Sequence, residues 1–201
     1  LGRIGVDCAI RHEELPLINR VDYRHASRPL VSIIIQAGDS LRALQRCTES
    51  LIERTAYTRY EILIVDSGVS DPVMRDWLAA MEQMGAEMLR VLRFAGDNNI
   101  GAIRNFAAGQ ARGDYLLLLD AQAVIGESDW LDELLNHALR PEVAMVGARL
   151  LDPAGVIVSA GLILGLAGPV GSPFAGEPAS SRGYMQRLHV TQNWSAVSSQ
   201  C

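Results

Sequence analysis

Three short stretches constrain the fold of this chain more than anything else in it: "LVSIII" at 30–35, "YEILIVD" at 60–66 and "YLLLLD" at 115–120. Each is a nearly continuous apolar run rather than an alternating one. That is the pattern of a strand covered on both faces, as in a parallel sheet under helices. The segments between them carry helical spacing. Asp39 or Ser40 suits the cap of a helix over 40–54, with Leu41, Leu44, Thr48, Leu51 and Ile52 on one side. Asp71 followed by Pro72 is a helix start, and Met74, Trp77, Leu78 and Met81 follow at helical intervals.

The same reading places a third strand over 88–94, a third helix over 100–112 and a fourth helix over 128–139. Two more strands are expected at 143–149 and 156–164. From Gly161 the composition turns to Gly, Pro and Ser ("GLAGPVGSPFAGEPASSRG"), which predicts a long loop, either a binding loop or a disordered one. Residues 1–28 show no sustained period and read as a linker or N-terminal arm, with the domain proper over 29–201. The expected fold class is therefore α/β, a Rossmann-like, mainly parallel sheet with helices on both faces.

Composition excludes several functions. All 18 basic residues are arginine, so no P-loop lysine, Schiff-base lysine or kinase lysine is present. A phosphoacceptor receiver is a poor fit for the same reason. The net charge of −5 argues against a nucleic-acid surface. Cys8, Cys47 and Cys201 are odd in number and far apart, and the four histidines lack metal-ligand spacing. Neither a disulfide framework nor structural zinc is expected, so a reducing, cytoplasmic compartment is the default. The longest apolar run, 155–168, falls short of the ~20 residues of a membrane-spanning helix. The chain opens on Leu1 rather than Met, as expected of a piece of something longer.

In parallel sheets, ligands bind beyond the carboxyl ends of the strands, near the point where strand order reverses. That singles out Asp39, Asp66 and Asp120, three acids that follow three buried strands. A carboxylate at Asp66 suits a base N–H or a ribose hydroxyl, or simple turn chemistry; Asp71 reads as a helix cap. Arg104, early in the third helix, suits a two-pronged grip on a diphosphate or an exposed ion pair. Asp120-Ala121-Gln122 has the spacing of a DxD metal site but not its second acid.

Taken in order, these pieces resemble the nucleotide-sugar half of a family 2 glycosyltransferase of GT-A fold, of the bacterial surface-polysaccharide type. The resemblance rests on "RPLVSIII", "YEILIVDSGVSD", "NNIGAIRNFAAGQARGDYLLLLD" and "DWLDELLNHALRPEVAMVGARLLDPAGVIVSAG", and it covers residues 29–201. It implies that Asp66 contacts the nucleotide base and that Gln36, Ala37 and Asp39 line its pocket. Arg104 would approach the nucleotide, and Asp120 would lie near ribose and metal. It further implies a UDP-, GDP- or dTDP-sugar donor, Mg²⁺ or Mn²⁺, and a saccharide or lipid-linked saccharide acceptor. The implied reaction is inverting transfer, in the cytoplasm or peripheral at the inner membrane face.

Three departures accompany the resemblance. Gln36-Ala37 stand where the family has Pro-Thr. Gln122 occupies the second DxD position and lowers the expected metal affinity. The family's catalytic base falls in an acidic motif expected beyond Cys201, so the fragment is expected to be inactive, or else a non-catalytic GT-A-like nucleotide-binding or scaffolding module. The apolar 156–164 segment is expected to pack on further chain, on a partner or on a second copy.

Overall fold

The computed structural model describes residues 7–12, 18–84 and 87–201. Residues 1–6 and 13–17 of the expected arm lie outside them. The chain runs β1 (Ala9–His12), β2 (Asn19–Asp22), β3 (Val31–Gln36), α1 (Leu41–Arg54), β4 (Tyr60–Asp66) and α2 (Pro72–Met84). It continues through β5 (Leu89–Arg93), α3 (Ile100–Gln110), β6 (Tyr115–Leu119) and α4 (Trp130–Ala138). Short strands follow: β7 (Leu150–Leu151), β8 (Ile157–Ser159), β9 (Ile163–Leu164) and β10 (Val170–Gly171). No described helix is long and apolar enough to cross a membrane. The contacts divide the chain into two compact units, one of residues 27–132 with 199–201, the other of 1–26 with 133–198.

The first unit holds a four-stranded, all-parallel sheet in the order β5-β4-β3-β6. The chain steps one way through β3, β4 and β5, then α3 carries it back to β6 on the far side of β3. Right-handed crossovers therefore put α1 and α2 on one face and α3 on the other. The side chains agree. Ile34, Leu63 and Val65 pack with Ile103 and Ala107 of α3, with Phe94 and Phe106 against them. Ile33, Ile35, Ile62 and Ile64, pointing to the opposite face, are fully buried as well. The mainly parallel α/β sheet expected from the three apolar runs is the one observed.

The helices start where their caps dictate. Ser40, not Asp39, caps α1, its Oγ accepting from the N–H of Ala43 at 3.3 Å. That leaves Asp39 exposed at the strand end. The Asn99 side chain accepts from the N–H groups of Gly101 and Ala102 and starts α3. Asp71 accepts from the Val73 N–H at 3.0 Å and caps α2, as expected.

In the second unit, β1 and β2 form an antiparallel hairpin inside the segment read as a linker or arm. A small core of Ile157, Phe174 and Leu188 packs with Ala160 and Trp194. Two expectations are corrected here. Residues 143–149 carry no strand, although their composition is apolar. The strand expected over 156–164 is broken into β8 and β9 by Gly161, whose φ of +107° lies outside the strand region. Val158 and Leu164 on those pieces are exposed. The Gly- and Pro-rich stretch after Gly161 includes an antiparallel pairing of β9 with β10.

Candidate functional site

Beyond the carboxyl ends of β3 and β4 lies a cleft of about 260 Å³, lined by residues 36–39, 67–71, Met74 and Asn98. Parallel strands bring it about directly. The β3–β4 ladder pairs Gln36 with Val65, and the Ala37 N–H still donates to the Val65 carbonyl at 2.9 Å. The two chain segments therefore leave the sheet side by side and diverge around the cleft. Of the residues expected in a nucleotide site, Gln36, Ala37 and Asp39 line it. So does Asp71, while its carboxylate caps α2.

Asp66 is not among the lining residues. It is 8% exposed, and both its oxygens are engaged by the chain. Oδ1 accepts from the N–H groups of Gly68 (3.0 Å) and Val69 (2.9 Å), and Oδ2 pairs with Arg93 at 3.2 Å. Gly68, with φ +102°, makes the turn that only such a backbone allows cheaply. Asp66 thus shapes the 67–70 wall of the cleft from behind. Arg93 also reaches Glu82 of α2 at 3.2 Å, so the carboxylate is one end of a three-residue chain of charge.

Arg104 and Asp120 stand on a second cluster, around the end of β6. The Arg104 guanidinium donates to the Ser199 carbonyl at 2.8 Å, and the Asp120 N–H donates to the Gln200 carbonyl at 3.0 Å. Asp120 Oδ1 accepts from the Gln122 N–H at 2.8 Å, the signature of an Asx turn. The Gln122 side chain is exposed. No three His, Cys, Asp or Glu side chains converge as a metal cage among the described residues. A half-buried Asp120 with a neutral amide two residues on does not fit a divalent cation held by protein alone.

Sequence reasoning missed two polar residues of the cleft, Ser67 and Asn98. The Gln36 side-chain amide reaches Ser67 Oγ at 3.4 Å and Asn98 Oδ1 at 3.3 Å, so three polar side chains meet where the β3, β4 and β5 exits come together. Asn98 entered the sequence reading only inside the "NNIGAIRNFAAGQARGDYLLLLD" stretch. Nothing in its spacing from Gln36 announces a meeting across 62 residues.

The comparisons with known proteins agree with this geometry. The model of the family described as "Glycosyl transferase family 2" matches residues 32–159. The chain is 36% identical over 187 residues to the uncharacterized protein y4gI of Sinorhizobium fredii, covering 93% of this chain and 20% of that protein. It is 35% identical over 190 residues to the O-antigen biosynthesis protein RfbC of Myxococcus xanthus, covering 92% of this chain and 14% of that one. The chain thus spans a fifth or less of the length of these two relatives. Among solved structures, the mannosyltransferase PcManGT of Pyrobaculum calidifontis, in complex with GDP-Man and Mn²⁺, aligns with a TM-score of 0.55 at 19% identity, over 64% of this chain and 37% of that one. GalNAc-T7 with UDP, GalNAc and Mn²⁺ aligns with a TM-score of 0.53 at 20% identity, over 58% and 22%. Both share the glycosyltransferase GT-A fold. A parallel sheet in this strand order, a polar cleft at its carboxyl edge and a family match across both make the chain a member of glycosyl transferase family 2.

Proposed function

We propose that this chain carries the donor-binding part of a glycosyltransferase that builds surface polysaccharide. The donor is a UDP-, GDP- or dTDP-sugar and the acceptor a saccharide or lipid-linked saccharide. The observation that carries the reading is the polar cleft beyond β3 and β4, in the segment that matches the family. Gln36, Ala37 and Asp39 receive the base and ribose, Asp66 holds the wall beside the base, and Arg104 and Asp120 serve the diphosphate and ribose side. RfbC, by its name a protein of O-antigen biosynthesis, supports the polysaccharide class. The place of work is the cytoplasm or the inner face of the membrane.

The chemistry is inverting transfer. An acceptor hydroxyl oxygen bonds to the anomeric carbon from the face opposite the diphosphate. The bond from that carbon to the diphosphate oxygen breaks, its electron pair leaving with the diphosphate. The hydroxyl proton passes to a base that none of the described residues is assigned to supply. These 201 residues accordingly bind nucleotide and transfer no sugar alone. The solved neighbours are complexes that contain Mn²⁺ together with GDP-Man or with UDP and GalNAc. Here Gln122 lacks the charge of a second acid, so metal dependence is weak, and no step is assigned to a metal. That same residue, with Gln36-Ala37, favours a second reading: a non-catalytic module that keeps nucleotide binding or scaffolding.

Calorimetric titration with UDP, GDP and dTDP tests the reading. Gly38 borders the cleft, and a Cβ added there meets nothing within 4 Å. Gly38→Leu therefore adds bulk at the border of the cleft with no overlap at its Cβ. Binding of one nucleotide by the wild-type chain, weakened at least about tenfold in Gly38→Leu, is the expected result. Binding of none of the three overturns it.

A further inference from the structure

The segment that leaves β6 with Asp120 runs along α1 and is tied to it at successive points. The Cys47 thiol donates to the Asp120 carbonyl at 3.7 Å. Ser50 Oγ accepts from the Ile125 N–H at 3.1 Å and donates to the Cys47 carbonyl at 2.9 Å. Arg54 Nη1 donates to the Ile125 carbonyl at 3.2 Å. Past the helix end, the Ala56 N–H donates to the Ser128 carbonyl at 2.9 Å, and the Trp130 indole donates to Thr55 Oγ1 at 3.1 Å.

Cys47, Ser50 and Arg54 stand at i, i+3 and i+7, one stripe of the helix. All three point polar atoms at main-chain groups of residues 120–125, whereas the neighbouring stripe of Leu44 and Leu51 is buried apolar surface. Burial, with Asp120 nearby, pushes the Cys47 thiol up to about 12, so it stays protonated and remains a donor. Within the segment, Asp120 closes its own turn through the Ala123 and Gln122 N–H groups. The turn is thus fixed at Asp120 by Cys47 and at Ile125 by Ser50 and Arg54.

We infer that Cys47, Ser50 and Arg54 of α1 are positioning residues that set the Asp120–Gln122 turn against the bound nucleotide diphosphate. They touch no ligand and act through the main chain of residues 120–125. The inference rests on the donor-binding reading above. It also gives a role to the polar atoms of a stripe that does not line the cleft.

The test measures three quantities on the purified chain: affinity for the nucleotide that binds the wild type, amide exchange at residues 120–125, and the thermal midpoint. Ser50→Ala and Arg54→Met remove one hydrogen bond each to Ile125. Each is expected to speed exchange at Gln122 and Ile125 and to weaken nucleotide binding about five- to tenfold, the order of one lost hydrogen bond. Ser50→Thr keeps the hydroxyl and is expected to restore both. Arg54 lies at the exposed end of the helix, so its variant folds even where the Ser50 change disturbs packing. Faster exchange with unchanged affinity overturns the positioning role and leaves a structural tie. Unchanged exchange overturns the tie itself. A wild-type chain that binds no nucleotide overturns the donor reading and this inference with it, whatever the variants do.

Discussion

Glu61 shows what a single buried charge does for this sheet. It is 3% exposed, on the central strand β4, at the opposite end from the cleft. Its carboxylate accepts from Ser32 Oγ (2.6 Å) on β3, from Arg90 Nε and Nη2 (3.2 and 2.9 Å) on β5, and from the Arg112 N–H (2.7 Å) before β6. One side chain therefore ties together every strand neighbourhood of the sheet. Burial pushes its pKa up, but the bonds from Ser32, Arg112 and Arg90 outweigh burial, and the net shift is downward. A lowered folded-state pKa means stability that is fully present above the unfolded carboxylate value of about 4.3 and lost as pH falls through the folded one. Glu61→Gln leaves Arg90 without its counter-charge. It is expected to cost roughly 2–3 kcal/mol at pH 7, below the full range for buried pairs because Arg90 keeps some exposure. The cost should shrink below pH 4. Urea denaturation of both proteins at pH 7 and pH 3.5 checks it, and an equal difference at the two pH values would remove the charge from the argument.

At the scale of elements, β3 and β4 were legible because buried parallel strands announce themselves as unbroken apolar runs. Strand β6 reads the same way, although at the sheet edge its Leu116 is 50% exposed. The three helices between strands announce themselves by their caps and spacing. The 143–149 segment shows the limit of that signal. It is as apolar as a strand, yet Met145 is 72% exposed and no ladder forms. Gly147 instead passes so close to the Val197 side chain that a Cβ there would meet it at 2.7 Å. Apolar composition gives the tendency to bury; a strand also needs an unpaired edge in register, and a sequence does not display edges. The break of 156–164 has a local cause that was visible in kind. Gly161 combines positive φ with the Trp194 indole lying over it, leaving no room for a Cβ. The neighbouring Leu162 and Ala196 exchange both backbone hydrogen bonds, at 3.0 and 3.2 Å. Gly161→Ala is therefore expected to destabilise the 133–198 unit by about 2 kcal/mol or more, from strain and overlap together. Amide exchange of Leu162 and Ala196 reads it locally. Protection equal to that of the wild type would show that Trp194 moves aside at no cost.

For the molecule as a whole, the candidate site was half legible. Gln36 and Ala37 were named only through the family resemblance, whereas Asp39 could be named because it follows a buried strand, and position after a strand is a property of sequence. Asn98 and the stripe of Cys47, Ser50 and Arg54 could not, because their partners lie tens of residues away and only the crossovers bring them together. The Asp120-Ala121-Gln122 triplet joins the two kinds of information. Its spacing was plain from the start, while the structure adds that Asp120 already lends one oxygen to the Gln122 N–H and that no other acid joins it in a cage among the described residues. A hard cation bound there would rely on one carboxylate and on the phosphates of its ligand, and a neutral amide supplies no compensating charge. Mn²⁺ is accordingly expected to change the affinity of the wild-type chain for a nucleoside diphosphate by less than about threefold. Gln122→Asp adds a carboxylate at an exposed position, where neither packing nor the Asx turn, made by the main-chain N–H, is disturbed. Its nucleotide affinity is expected to rise about tenfold or more with Mn²⁺ and to fall without it, because two unscreened acids repel the diphosphate. Titrations with Mn²⁺ and with EDTA distinguish the outcomes. A strong Mn²⁺ dependence already in the wild type would mean that Asp120 and the ligand suffice, and that the missing acid costs this relative little.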